Sequence, residues 1–289
     1  RTLLAFTEDR IEKPAAIQAD QPSNWHQAGR WADLVIISHG DYVSTLNSLK
    51  TLREGQGLSV ALIDVEDLYD EFSFGTKTHQ AIKDFLSLTR TRWQRAPRFV
   101  LLVGDASYDP RNYSGFGSFD YVPTKLIDTV YLETASDDWF VDFDGDGVPD
   151  IPIGRIPAHS LQDAQTIVSK ILAYEQGAGS GERRVLLVAD IDDPTFSFEA
   201  ASSSLKPLLP QDVSVQEVFR SRFSDDDQVH ASLFTSLNQG PLLVNFVGHG
   251  SIQLWRGGIL DTEDEEQFSN GSLLPLFVNM TCLNGYFQM

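Results

Sequence analysis

The sequence predicts an α/β protein built from parallel sheets in two units. Three observations predict it. Short apolar runs rich in Val, Ile and Leu recur along the chain, separated by amphipathic stretches of helical period. Strand and helix alternate, the order that gives parallel sheets covered on both faces. The alternation breaks once, at an acidic Gly- and Pro-rich stretch, and restarts after Gly177-Ala178-Gly179-Ser180-Gly181, the best candidate boundary.

The elements follow in order. Residues 1–31 carry Pro14, Pro22 and Gly29 without clean periodicity and read as an irregular lead-in. Ala32 to Ser38 is apolar and reads as a strand, and Tyr42 to Glu54 as a helix stopped by Gly55 and Gly57. Leu58 to Asp64 is a second strand. Thr76 to Trp93 is a helix with Ile82, Phe85, Leu86 and Leu88 on one face, and Phe99 to Gly104 is a third strand. Residues 106–150 read as one long ordered loop, a length that usually serves function. Ser160 to Glu175 is a helix. The second run gives strands at Val185 to Asp190, Val213 to Phe219, Leu242 to Val247 and Leu276 to Met280, with helices at Phe198 to Leu208 and Asp226 to Leu237. The resulting division is 1–31, 32–178 and 179–289.

Charge excludes some partners. The chain has 22 basic and 41 acidic residues, a formal charge of -19. Nucleic acid and anionic membranes both need positive surface, so neither is expected as a partner. No apolar run is long enough to span a membrane. A single cysteine rules out an internal disulfide. The chain begins with Arg1, without a visible secretion signal, and reads as a mature or trimmed piece of a longer precursor.

That single cysteine, Cys282, stands just after the apolar run Leu274 to Met280. His249 stands just after a matching run, Leu242 to Val247. Each run reads as a strand buried on both faces. Sites on open parallel sheets gather beyond the carboxyl ends of neighbouring strands. If the two strands are adjacent, a thiol and an imidazole meet there, the layout of a nucleophile beside its base. The alternatives are a small buried cysteine and a turn histidine. Gly248 and Gly250 let backbone approach a ligand closely, so the amides of Gly250 and Cys282 are candidate donors to an oxyanion. His39, also after a strand, has no thiol partner and reads as structural.

Two acidic features carry a double reading. Asp142, Asp144 and Asp146 alternate with Gly145 and Gly147, like the front of a calcium loop; the bidentate acid such loops end on is absent, since Ile153 stands there. They form either a shortened cation loop or an Asx-rich turn. Asp163, three residues after Ser160, is either part of a helix cap or a pocket acid that selects a basic side chain. The acids from Asp261 to Glu266 read as a solvated rim, and Asp225 to Asp227 as a helix N-terminus.

Taken together, Val244-Asn245-Phe246-Val247-Gly248-His249-Gly250-Ser251 and Cys282-Leu283-Asn284-Gly285-Tyr286-Phe287 resemble the gingipain-type cysteine peptidases of the caspase-like clan. Leu101 to Asp105, Ser136 to Phe140 and Pro149 to Pro157 add to the resemblance, which runs from about Ala32 to the end. It implies a caspase-like parallel-sheet sandwich of two side-by-side α/β subdomains. It implies Cys282 as nucleophile, His249 as general base, and an acid near the histidine five positions before Arg155, which is Asp150. Asp163, eight positions after Arg155, matches the acid at the floor of an arginine-selective pocket, implying cleavage after Arg or Lys. The resemblance further implies stabilising Ca2+, synthesis as a zymogen, and a secreted or bacterial cell-surface location. It also implies further strands and a helix after the nucleophile. The C-terminal part of the second subdomain is therefore expected outside 1–289, in the same or a second chain. Two other functions stay open: a processing peptidase or sortase of a secretion system, and a non-catalytic calcium-stabilised surface module.

Overall fold

The structure, a computed structural model, describes Thr7 and residues 22–117, 119–178 and 183–288. Most of the expected lead-in, and residues 179–181 of the expected boundary, lie outside the described residues.

The first half runs β1 (Leu34–Ser38), α1 (Val43–Gly55), β2 (Val60–Asp64), α2 (Val65–Ser73), α3 (His79–Arg92), β3 (Phe99–Val103), β4 (Leu126–Asp128), β5 (Glu133–Ala135), β6 (Ile153–Ile156) and α4 (Leu161–Ala173). The second half runs β7 (Arg184–Ala189), α5 (Phe198–Ser203), β8 (Ser214–Phe219), α6 (Asp226–Asn238), β9 (Leu243–Val247), β10 (Leu254–Trp255), β11 (Leu260–Asp261) and β12 (Leu276–Met280). Each half holds one four-stranded sheet, in the orders β2-β1-β3-β6 and β8-β7-β9-β12. Every neighbouring pair in both sheets is parallel. The two halves thus share one winding plan: the first strand is internal, the second lies outside it, and the third and fourth extend the other way.

Helices cover both faces of the first sheet. α2 and α3 deliver Leu68, Ile82 and Phe85 to one core. α1 and α4 deliver Leu46, Leu49, Ala164 and Val168 to the other. In the second sheet α6 packs Val229, Leu233 and Leu237 on one face, and α5 packs Phe198 on the other. The helix starts follow local chemistry: the side chains of Thr78, Ser160, Ser197 and Asp225 each accept an amide of the first turn.

Several expectations are corrected. α2 follows directly on β2, where no element was expected; Asp64 caps it. The long loop contains the β4–β5 hairpin, and β6 follows it as the fourth strand of the first sheet. The helix expected over 198–208 stops at Ser203 and gives way to a 3-10 turn with Pro207 inside it. The acids around Asp264 form no simple rim. Asp264 is buried and accepts from the Asp261 amide, closing a capping box. β12 is a strand as expected, but not one buried on both faces. It is the edge of its sheet, and all five of its residues are exposed, Met280 at 61%.

One buried arginine ties the loop-rich part of the first half to the sheet. Arg155, on β6, has a side chain only 3% exposed. It pairs Asp137 with two parallel bonds, Nε to Oδ2 at 2.7 Å and Nη2 to Oδ1 at 2.8 Å. Its Nη1 donates to the carbonyls of Gly104 and Val122 at 2.8 and 2.7 Å. The desolvated charge is therefore both paired and hydrogen-bonded, the condition under which burial of a charge is tolerated.

Phe246 of β9 is fully buried and stacks on Trp255 at 3.9 Å between ring centroids. Replacing it with Ala should cost roughly 3–5 kcal/mol of stability. Denaturant unfolding would read this; a loss under about 1 kcal/mol would mean that the Trp255 ring collapses into the space.

Candidate active site

β9 and β12 are neighbours in parallel register, with Val247 opposite Met280. His249 and Cys282 each lie two residues beyond those paired residues, so the register sets them at the same level above the sheet. The Gly248 amide continues the pairing by donating to the Met280 carbonyl at 3.3 Å. Both side chains are on residues open to solvent. A Cβ at Gly250 would stand 2.6 Å from Thr281 Oγ1 and 3.4 Å from the Cys282 carbonyl, which measures how closely the two loops approach. Asn284 clamps them: its Oδ1 accepts from Trp255 Nε1 at 2.8 Å, and its Nδ2 donates to the Ser251 carbonyl. Leu283, next to the thiol, adopts φ 61°, a left-handed conformation that costs energy for a leucine.

The histidine is placed by a buried acid. Asp190 follows β7 and is completely buried. Its Oδ2 accepts the His249 amide at 3.2 Å, and its Oδ1 accepts the Ile191 amide and Arg220 Nη1 at 2.7 and 2.8 Å. Arg220 in turn grips Asp226 at the start of α6 with Nε and Nη2. A Cβ on Gly248 would meet Asp190 Cβ at 2.5 Å and the Phe246 ring at 2.7 Å. Only glycine lets β9 deliver His249 here.

The imidazole itself faces Asp193, with Nε2 3.4 Å from Oδ2, and packs edge-on against Phe198. The Thr195 hydroxyl and amide donate to Asp193 Oδ1 at 2.7 Å, and the Phe196 amide at 2.8 Å. Thr195 most of all, with Phe196 and His249 adding to it against the opposing effect of burial, holds the Asp193 carboxyl at about 2. Asp193 therefore stays an anion against the ring. The amides of Gly250 and Cys282 have no protein acceptor among the described residues.

The structure places the other expected site residues elsewhere. Asp150, expected near the histidine, closes the acidic loop instead: its Oδ2 accepts the Phe143 amide at 2.8 Å and lies 3.6 Å from Arg90. The short side chain is committed there, and Asp193 is the carboxylate at His249. Nothing in the local sequence marks Asp193, because its partner arrives from another strand. Asp163 sits in the first turn of α4, half-buried, with its amide donating to the Ser160 hydroxyl at 3.1 Å. The capping geometry is thus present. The carboxylate oxygens of Asp142, Asp144 and Asp146 lie within 4.8 Å of one another. Gly145 and Gly147 turn the loop at positive φ and donate their amides to Asp142. Three hard oxygens at this spacing fit a calcium ion. Lys83 meets the same loop through its backbone, donating to the Trp139 and Asp142 carbonyls. A groove of about 1080 Å³ between Arg53, Tyr174 and Phe277 lies at the opposite end of β12 from Cys282.

Two outcomes follow from this geometry. Gly248→Ala should lower stability by roughly 1–3 kcal/mol, because the methyl group has no room against Asp190. Unfolding in denaturant measures it, and a variant as stable as the parent would show that the Asp190 contact yields freely. For Asp193 the sign follows from its depressed pKa. Its contribution to stability is present above the ordinary carboxylate value of 3.8 and is lost as pH falls toward about 2. The melting-temperature gap between wild type and Asp193→Asn should therefore narrow through that window. A gap that stays constant with pH would contradict the assignment.

Comparison with known proteins identifies the family and the fold. Residues 27–289 match the family described as Peptidase family C25. Gingipain R1 of Porphyromonas gingivalis is 21% identical over 271 residues, covering 92% of this chain and 25% of the relative. An uncharacterized protein of Archaeoglobus fulgidus is 24% identical over 279 residues, covering 86% of this chain and 65% of the relative. The chain thus spans about a quarter of gingipain R1. Among solved structures, that of the Arg-specific cysteine proteinase gingipain R superposes with TM-score 0.70 at 20% identity, over 92% of this chain and 57% of that one. The two parallel-sheet units are therefore the gingipain fold, and the chain belongs to Peptidase family C25.

Proposed function

We propose that the protein is a cysteine endopeptidase in which Cys282 is the nucleophile and His249 its base. The observation that supports this reading is the parallel register of β9 and β12, which puts residues 249 and 282 at the same level beyond adjacent strand ends. His249 takes the thiol proton, and the sulfur attacks the scissile carbonyl carbon. The carbonyl oxygen becomes an oxyanion, which the amides of Gly250 and Cys282 receive. The C–N bond then breaks, and the imidazolium returns its proton to the leaving amine. Water activated by His249 hydrolyses the thioester and regenerates the thiol. Asp193, anionic against Nε2, steadies the imidazolium formed in between.

Substrate preference follows from the family resemblance. Asp163 at the start of α4 would pair a basic P1 side chain, Arg bidentately or Lys as a point charge. The Asp142, Asp144 and Asp146 loop would hold Ca2+, which supplies structural charge compensation there. A further segment or a second chain would complete the second sheet along the exposed edge of β12. Secretion or display at a bacterial surface suits a peptidase of this family; among the described residues, no helix is long and apolar enough to cross a membrane.

The test uses fluorogenic peptides with Arg, Lys or a neutral residue at P1, with and without a calcium chelator. Cys282→Ala and His249→Ala should each lower turnover by about 10³-fold or more. Asp163→Asn should lower turnover of Arg peptides far more than that of neutral ones. Activity that survives Cys282→Ala would end the proposal, and equal losses on all peptides would end the role of Asp163.

A further inference from the structure

After Cys282 the chain leaves the second half and is fastened to the first. Phe287 lies over the Arg155 guanidinium, 4.9 Å from ring centroid to its central carbon. Gln288 is only 1% exposed. Its carbonyl accepts the Tyr108 amide at 3.3 Å, and its Nε2 donates to Thr134 Oγ1 at 3.2 Å. Arg155 cannot swing away from this contact, because Asp137 and the Gly104 and Val122 carbonyls hold its nitrogens. The loop between is short and already constrained: Leu283 is left-handed, and Asn284 is clamped to the His249 loop.

We propose that Arg155 is a positioning residue for the nucleophile, acting through Phe287. The guanidinium presents a rigid, desolvated cationic face on which the ring settles, an arrangement stronger than the same pair in water. Gln288 adds a second, directional tether on the same wall of the first half. The Cys282 loop is therefore held from two sides, by Asn284 against the histidine loop and by Phe287 and Gln288 against the first half. The first half thereby contributes to the reactive geometry without supplying a reacting group. This inference rests on the dyad reading above.

The experiment measures the rate of Cys282 alkylation by iodoacetamide in the full chain, as a function of pH. Wild type is compared with Phe287→Leu, Phe287→Tyr, Thr134→Val and His249→Ala, and circular dichroism and melting check the fold of each. Phe287→Leu should slow alkylation by about ten- to a hundred-fold near neutral pH, the penalty of a displaced reacting group, and should move the pH midpoint upward. Phe287→Tyr, which restores a ring over the guanidinium, should react within about twofold of wild type. Thr134→Val loosens only the Gln288 tether and should slow the thiol by a smaller factor. It carries the test if Phe287→Leu does not fold. Phe287→Leu or, in its place, Thr134→Val reacting at the wild-type rate and midpoint would overturn the proposal. If His249→Ala still slows the thiol in that case, the dyad reading survives alone. A wild-type thiol that is inert would overturn both.

Discussion

The end of the second sheet that carries His249 depends on one buried carboxylate. Asp190 has no access to water, and its oxygens are shared among the Ile191 amide, the Arg220 guanidinium and the His249 amide. An unpaired charge in that position would be prohibitive, so the donors are obligatory partners. They come from the turns after β7, β8 and β9. A single side chain thus fixes three strand ends relative to one another. Arg220 passes the constraint on to α6 through Asp226. The absence of a side chain at Gly248 is the other half of the same constraint, since Asp190 occupies the space.

The two halves answer the same problem with different chemistry. In each, a four-stranded parallel sheet with the same strand order ends in polar groups on its third and fourth strands. In the second half those ends carry His249 and Cys282. In the first half, Asp105 follows β3 and His159 follows β6, and they pair at 2.6 Å. The first half also holds the buried Arg155–Asp137 pair at the base of its long loop. One sheet ends in two exposed side chains and the other in paired ones.

Much of this was legible in the sequence, for physical reasons that also explain the failures. The internal strands are runs of Val, Ile and Leu that need burial on two faces, so β1, β3, β7 and β9 stand out within a residue or two. β12 stands out by the same signal, yet its burial does not follow, because composition does not report which strand ends a sheet. β6 was hidden because Gly154 and Arg155 interrupt its apolar pattern; the arginine is tolerated only through Asp137, a partner no local window contains. α2 was hidden because it starts on the residue right after a strand, with no loop between. At the site, Cys282 and His249 were readable as strand-end residues. Asp193 was not, since it owes its place to an Asx-type turn around Thr195 and to a ring delivered from β9.

The exposure of β12 has a mechanical consequence. Among the described residues, β9 is gripped by neighbours on both sides, whereas β12 is bonded to β9 alone. The imidazole therefore stands on a clamped beam and the sulfur on a cantilever. The stays at the free end of that cantilever, Asn284 and Phe287, decide how far it can travel.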